Sequence, residues 1–104
     1  MIEAAIYKAL GDPIRLEMVM RLSATSVSTV GDLSANLGIS RQGARKQIQV
    51  LVDANVVHLM QRGRETLVTL DTKTLQIAQA FMSQLERQWD ERLEALKNYV
   101  EGED

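Results

Sequence analysis

The sequence has no cysteine, one histidine, one proline and no run of 18 consecutive apolar residues. Without thiols, a disulfide framework, a thiolate metal site and a thiol redox switch are all excluded. Without a long apolar run nothing reads as a membrane span. The first residues, Met1 to Lys8, also lack the basic start and apolar stretch of a secretory leader. A cytoplasmic protein with no membrane partner is the expectation. Positive charge is scarce too: 12 bases against 14 acids leave a net charge of −2, which by itself argues against a nucleic-acid partner.

The distribution of charge reverses that inference. Residues 39–64 carry Arg41, Arg45, Lys46, Arg62 and Arg64 against Asp53 alone, a net of +4, whereas residues 71–104 carry eight acids and four bases, a net of −4. A basic stretch inside an acidic chain marks a candidate anion-binding surface. The remaining composition, 45% hydrophobic and 25% charged over 104 residues, is that of one ordinary globular domain.

Apolar spacing divides the chain. Ile2, Ala5, Ile6, Ala9 and Leu10 predict a short first helix that Gly11 stops. Asp12-Pro13 reads as a cap followed by proline at the first helical position, opening a second helix to about Leu22 with Ile14, Met18, Val19 and Leu22 inward. The polar residues 23–28 follow. Ser28 or Thr29 caps a third helix with Val30, Leu33 and Leu37 inward, closed by a left-handed Gly38. Ser40 caps a fourth helix through about Asp53, with Ala44, Ile48, Leu51 and Val52 inward. Only Gly38-Ile39-Ser40 is expected between the third and fourth helices, which is helix-turn-helix geometry. Residues 56–61 and 66–70 read as a β-hairpin turning at Arg62-Gly63-Arg64-Glu65. From Thr72 to about Val100, Leu75, Ala78, Met82, Leu85, Trp89, Leu93, Leu96 and Val100 recur at near-heptad spacing. A helix of that length outruns the core of so small a domain, so its apolar stripe calls for a second copy of the chain.

The fourth helix carries the functional expectation. Ser40, Arg41, Gln42, Gly43, Arg45, Lys46 and Gln47 present long hydrogen-bonding side chains at its start and outer face, where Arg can fork onto guanine and Gln onto adenine in a major groove. Gly43 sacrifices about 0.8–1 kcal/mol of helix propensity, which close approach of DNA or another helix would explain. A solvated helix face with an unoptimised glycine is the plainer alternative. Arg62 and Arg64 flank the hairpin tip, within reach of phosphates or a minor groove.

Together, Leu10-Gly11-Asp12-Pro13-Ile14-Arg15-Leu16, Thr29-Val30-Gly31-Asp32-Leu33, Leu37-Gly38-Ile39-Ser40-Arg41-Gln42 and Arg62-Gly63-Arg64-Glu65 resemble the ArsR/SmtB winged-helix repressors, in order along nearly the whole chain. The resemblance implies a mainly α, winged helix-turn-helix fold (α-α-α-α-β-β-α) with residues 56–70 as the wing. It also implies a homodimer built from the first and last helices through Ile2, Ile6, Leu75, Ala78, Met82, Leu85, Trp89, Leu93 and Leu96. The DNA-binding domain then spans residues 1–100, including a dimerisation helix at 72–100, and residues 101–104 form a frayed tail. Metal-sensing relatives carry a Cys-x-Cys-type site in the helix corresponding to Thr29–Leu37, or His and carboxylate ligands on the last helix. Here neither set is present, which points to the metal-independent branch, with no cofactor and an effector of unknown identity, small molecule or protein.

The remaining chemistry is sparse. His58 has no visible partner, the five methionines fit core filling, and Phe81 and Trp89 suit an interface anchor better than an effector pocket. The acids of the last helix suit a solvated face with intrahelical pairs. No catalytic constellation is present, so the chain is not expected to be an enzyme. A protein-interaction module without a specific DNA site is the competing reading. A MarR-like winged helix is a third, for whose extra terminal helices the chain has little room.

Overall fold

The computed structural model describes residues 1–102. The elements are α1 (Ile2–Leu10), α2 (Pro13–Thr25), β1 (Val27–Thr29), α3 (Val30–Ser34), α4 (Arg41–Asp53), β2 (Val57–Arg62), β3 (Glu65–Leu70) and α5 (Thr72–Glu101). The architecture is mainly helical with one small antiparallel sheet, a winged helix-turn-helix. The sheet has three strands in the order β1-β3-β2. β1 was not expected. It pairs Val27, Ser28 and Thr29 with Thr69, Val68 and Leu67, and three residues are too few for alternation to betray a strand.

Local chemistry sets the helix starts. The Asp12 carboxylate accepts the Ile14 and Arg15 amides at 3.0 and 3.1 Å, with Pro13 behind it, and Ser40 accepts the Gly43 amide at 2.9 Å. The helix ends differ from expectation. α2 continues to Thr25, where the next residue, Ser26, turns away at φ 71°. α3 stops at Ser34 instead of running through Leu37, because Ala35 is extended and Asn36 takes φ 59°. The connection to α4 is therefore the longer stretch from Ala35 to Ser40, with Gly38 left-handed at φ 72° in its middle. Leu37 still packs on the core, from the turn. The hairpin closes on Gly63 and Arg64, Gly63 having φ 62° at the first central position, where a type II′ turn needs glycine.

One core joins these parts. Met18, Val19 and Leu22 of α2, Leu33 of α3, Ala44, Ile48 and Leu51 of α4, Val57 and Val68 of the hairpin, and Val56 just before it meet Ile6 and Ala9 of α1 and Ala78 of α5. Leu51 is fully enclosed. Truncating it to alanine should lower unfolding free energy by about 2–5 kcal/mol in urea titrations, and a loss under about 1 kcal/mol would contradict this packing. Among the methionines only Met18 fills the core. Met1, Met20, Met60 and Met82 are exposed, Met82 because the protomer leaves the apolar stripe of α5 uncovered from that residue onward.

The molecule is elongated, with a longest dimension of 73 Å and a radius of gyration of 19.1 Å, against about 13 Å for a compact chain of this length. The excess is α5. Its 30 residues span about 45 Å, yet only Thr74 and Ala78 are buried, and every described residue from Met82 onward is exposed. The expected intrahelical ion pairs along α5 are not formed among the described residues, consistent with the small return on pairing hydrated surface charges. The helix closes at Glu101 with Gly102 as its cap. The expected frayed tail, 101–104, falls on this end, and Glu103 and Asp104 lie outside the described residues. No helix among them is long and apolar enough to cross a membrane.

Candidate nucleic-acid interface

Three of the five basic residues of the middle segment, Arg41, Arg45 and Arg64, line one groove. An open groove of about 780 Å³ runs between α4 and the wing. Its lining comprises Thr29, Val30, Gly31, Ser34 and Ala35 from the region of α3, Arg41, Arg45, Ile48 and Gln49 from α4, and Leu59, Arg64, Glu65 and Thr66 from the hairpin. Ile48 is almost fully buried beneath the basic residues, and Arg41, Arg45 and Arg64 are exposed. Three guanidinium groups face one carboxylate, Glu65, so the groove is net positive. The salt bridge among the described residues is Arg21–Glu17 at 3.4 Å, and His58 makes a 2.6 Å contact with Asp71. Among the described residues, Arg41, Arg45, Lys46, Arg62 and Arg64 therefore form no intramolecular salt bridge.

Arg41 also stands where folding alone would not put it. It is the first residue of α4, whose opening turn contains no acid. A helix N-terminus carries partial positive charge, so a cation there costs about 0.3–1 kcal/mol where an acid would gain as much. Together with the Arg41 and Gln42 amides, which the Ser40 cap does not take up, it makes a surface suited to an anion.

The other expected contacts divide. Gln42 and Lys46 are exposed on the flank of α4, outside the groove lining, as is Arg62 on the wing. Ser40 spends its hydroxyl on the helix cap. The close approach that Gly43 permits is to that same hydroxyl: a Cβ at this position would lie 3.1 Å from Ser40 Oγ. Gln47 is half-buried and turned inward, where its Oε1 accepts from Arg15 Nη1 at 2.6 Å. Gln49 and Thr66 were overlooked as lining residues. For Gln49 the signal was present, since 41, 45 and 49 recur at four-residue spacing on one helical face.

The expected dimer residues divide as well. Ile6 and Ala78, at 0% and 5% exposure, belong to the protomer's own core, and Leu75 is half-buried against it. A side chain enclosed within its own protomer has no surface left for a second copy. Ile2, Met82, Leu85, Trp89, Leu93 and Leu96 are exposed, Trp89 at 62%. Phe81 packs on Tyr7 of α1, their ring centroids 6.2 Å apart.

His58, expected to be without a partner, bonds Asp71, the N-cap of α5, through Nε2 to Oδ2. The His58 side chain first, and then the Thr74 amide, hold the Asp71 carboxyl below the usual carboxylate value. A lowered pKa in the folded state adds stability that is complete above the unfolded value of about 3.9 and disappears as pH falls through the folded one. Asp71→Asn should therefore melt at a lower temperature than wild type at pH 7, with the gap closing below about pH 4. A gap unchanged down to pH 2 would contradict the pairing. Among the described residues no three His, Cys, Asp or Glu side chains cluster to hold a metal, and the single imidazole is engaged.

A helix-turn-helix with an arginine-lined groove between its second helix and a β-hairpin defines a class, that of the winged-helix DNA-binding regulators. Within that class, comparison with solved structures gives strong matches to ArsR-type proteins. An ArsR-like transcriptional regulator from Rhodococcus sp. RHA1 superposes with a TM-score of 0.82 at 26% identity, covering 94% of this chain and 92% of that one. An ArsR family transcriptional regulator superposes with a TM-score of 0.81 at 22% identity, over 86% and 98% of the two chains. The transcriptional repressor BigR from Xylella fastidiosa gives 0.60 at 26%, over 77% and 82%. No family model and no curated protein matches the sequence.

Proposed function

We propose that this chain is a homodimeric transcriptional repressor of the ArsR/SmtB type that binds a pseudo-palindromic operator without a metal inducer. The observation carrying the reading is the groove that Arg41, Arg45 and Arg64 line, three guanidinium groups to one carboxylate, with no salt bridge to any of them among the described residues. In this reading α4 enters the major groove and its first turn meets base edges, while Arg64 and Arg62 at the wing meet phosphates or the minor groove. Two copies, joined through the exposed stripe of α5 and Ile2 of α1, set two reading helices about 34 Å apart on one face of the duplex. Occupancy then blocks polymerase.

Metal independence rests on donor chemistry. Soft and borderline metals take thiolate or imidazole ligands; there is no thiol, and the sole imidazole is bonded to Asp71. The likeness to transcriptional regulators supports a non-enzymatic role.

Sequencing the genomic fragments retained by the purified protein tests binding and delivers the site in one step. One enriched inverted repeat, bound with an affinity that falls steeply with salt, is the expected result. Diffuse association that salt abolishes, with no enriched sequence, would instead favour the interaction module.

A further inference from the structure

We propose that Arg15 is a positioning residue for the reading helix: acting through Gln47, it fixes the seat of α4 against the α1–α5 unit and so the spacing of the two reading helices in the dimer. The proposal rests on the DNA-binding reading above. Arg15 lies in the first turn of α2 and donates in three directions, from Nε to the Ala9 carbonyl at 2.6 Å, from Nη2 to the Lys8 carbonyl at 3.2 Å and from Nη1 to Gln47 Oε1 at 2.6 Å. The two carbonyls belong to the last turn of α1, where a cation is favoured by the helix dipole. On its other side α1 is bonded to α5, the Tyr7 hydroxyl donating to the Ala78 carbonyl. One line of directional contacts therefore runs from α5 through α1 and Arg15 to the middle of α4.

The chemistry of the link fits positioning. A guanidinium is a rigid planar fork, so two donors held by α1 determine where the third points. Among the described residues, Arg15 to Gln47 is the one side-chain hydrogen bond joining α4 to another element. The rest of its seat is apolar, through Ala44, Ile48 and Leu51, and since the hydrophobic effect is non-directional, the one directional contact that α4 makes with another element is this bond.

Two substitutions separate positioning from direct DNA contact. Gln47→Leu removes the acceptor at similar volume; Gln47→Glu keeps an acceptor for Arg15 while adding a negative charge that a DNA-facing residue would not tolerate. The probes are the operator enriched by wild type and versions with one or two base pairs inserted or removed between half-sites. Gln47→Leu should lose about tenfold on the enriched spacing, the worth of one bond to a charged donor, and should bind all spacings within about threefold of one another. Gln47→Glu should keep wild-type spacing preference and an affinity within about threefold. In the DNA-free dimer, Gln47→Leu and Arg15→Lys should speed amide exchange in α4 and leave α5 unchanged. The proposal is overturned by Gln47→Glu binding as weakly as Gln47→Leu, by Gln47→Leu weakening every spacing equally, or by unaltered exchange in α4. Should wild type enrich no sequence, the DNA reading falls and takes the spacing with it, while exchange still decides whether Arg15 holds α4.

Discussion

Replacing Arg41, Arg45 and Arg64 together by alanine should reduce operator affinity by roughly 10⁴-fold or more at physiological salt while leaving the protomer folded. Two copies of three side chains remove six cationic contacts, each worth about 1 kcal/mol or more at a phosphate or base edge. The salt dependence should change with it. If all five basic residues of the segment meet phosphates in both protomers, the log–log slope for wild type is about −9, and the four contacts left by the triple change would give about −4. Folding should be indifferent, because these side chains are exposed and form no internal ion pair. Taken singly, Arg41→Ala should broaden the bound sequences, since in the proposed complex it lies at the helix start that would face base edges, and Arg64→Ala should weaken all sequences alike. Uniform and equal losses from both would contradict base reading by Arg41, and a triple variant that binds normally would remove the groove from the interface altogether.

Much of the fold was legible because its signals are local. Asp12-Pro13 and Ser40 announce their helices within three residues, and the 3–4 spacing from Leu75 to Val100 continues long enough to be unambiguous. β1 was illegible because its evidence lies elsewhere: Val27, Ser28 and Thr29 become a strand only by pairing with β3, some forty residues away. The end of α3 was hidden because Val30, Leu33 and Leu37 keep helical spacing while the backbone does not; Leu37 reaches the core from a turn that Asn36 makes possible by taking φ 59°.

The candidate interface shows the same division. Arg41, Arg45 and Arg64 were readable as a basic cluster, but their convergence on one groove depends on the hairpin folding back beside α4. Gln47 was misread because it sits three residues after Ala44 and four before Leu51, both buried, at the border between the inner and outer faces of α4. Which side it takes is decided by Arg15, a partner 32 positions earlier that no periodicity reveals. Ile6 and Ala78 illustrate a further limit. Apolar spacing marks what must be covered, not by which chain, and here α1 and the start of α5 cover each other.

The uncovered part of α5 yields the other large effect. Leu85→Glu with Trp89→Glu should convert a dimer into a monomer and reduce operator affinity by about 10²–10⁴-fold, because two half-sites are then bound without the effective concentration that linkage provides. Both positions are well exposed in the protomer, at 45% and 62%, so the substitutions should shift its own stability by no more than about 0.5 kcal/mol. From Met82 to Val100 the apolar positions extend along about 27 Å of helix, a stripe that the protomer itself leaves uncovered. In the proposed dimer a second copy occupies the stripe, and a two-fold axis at α5 would duplicate the arginine groove in the symmetry that a pseudo-palindrome demands. Sedimentation at micromolar concentration separates the outcomes. If the double variant sediments as wild type does, the stripe is not the contact, and a wild type that is monomeric at every concentration would leave the paired reading helices without a means of being paired.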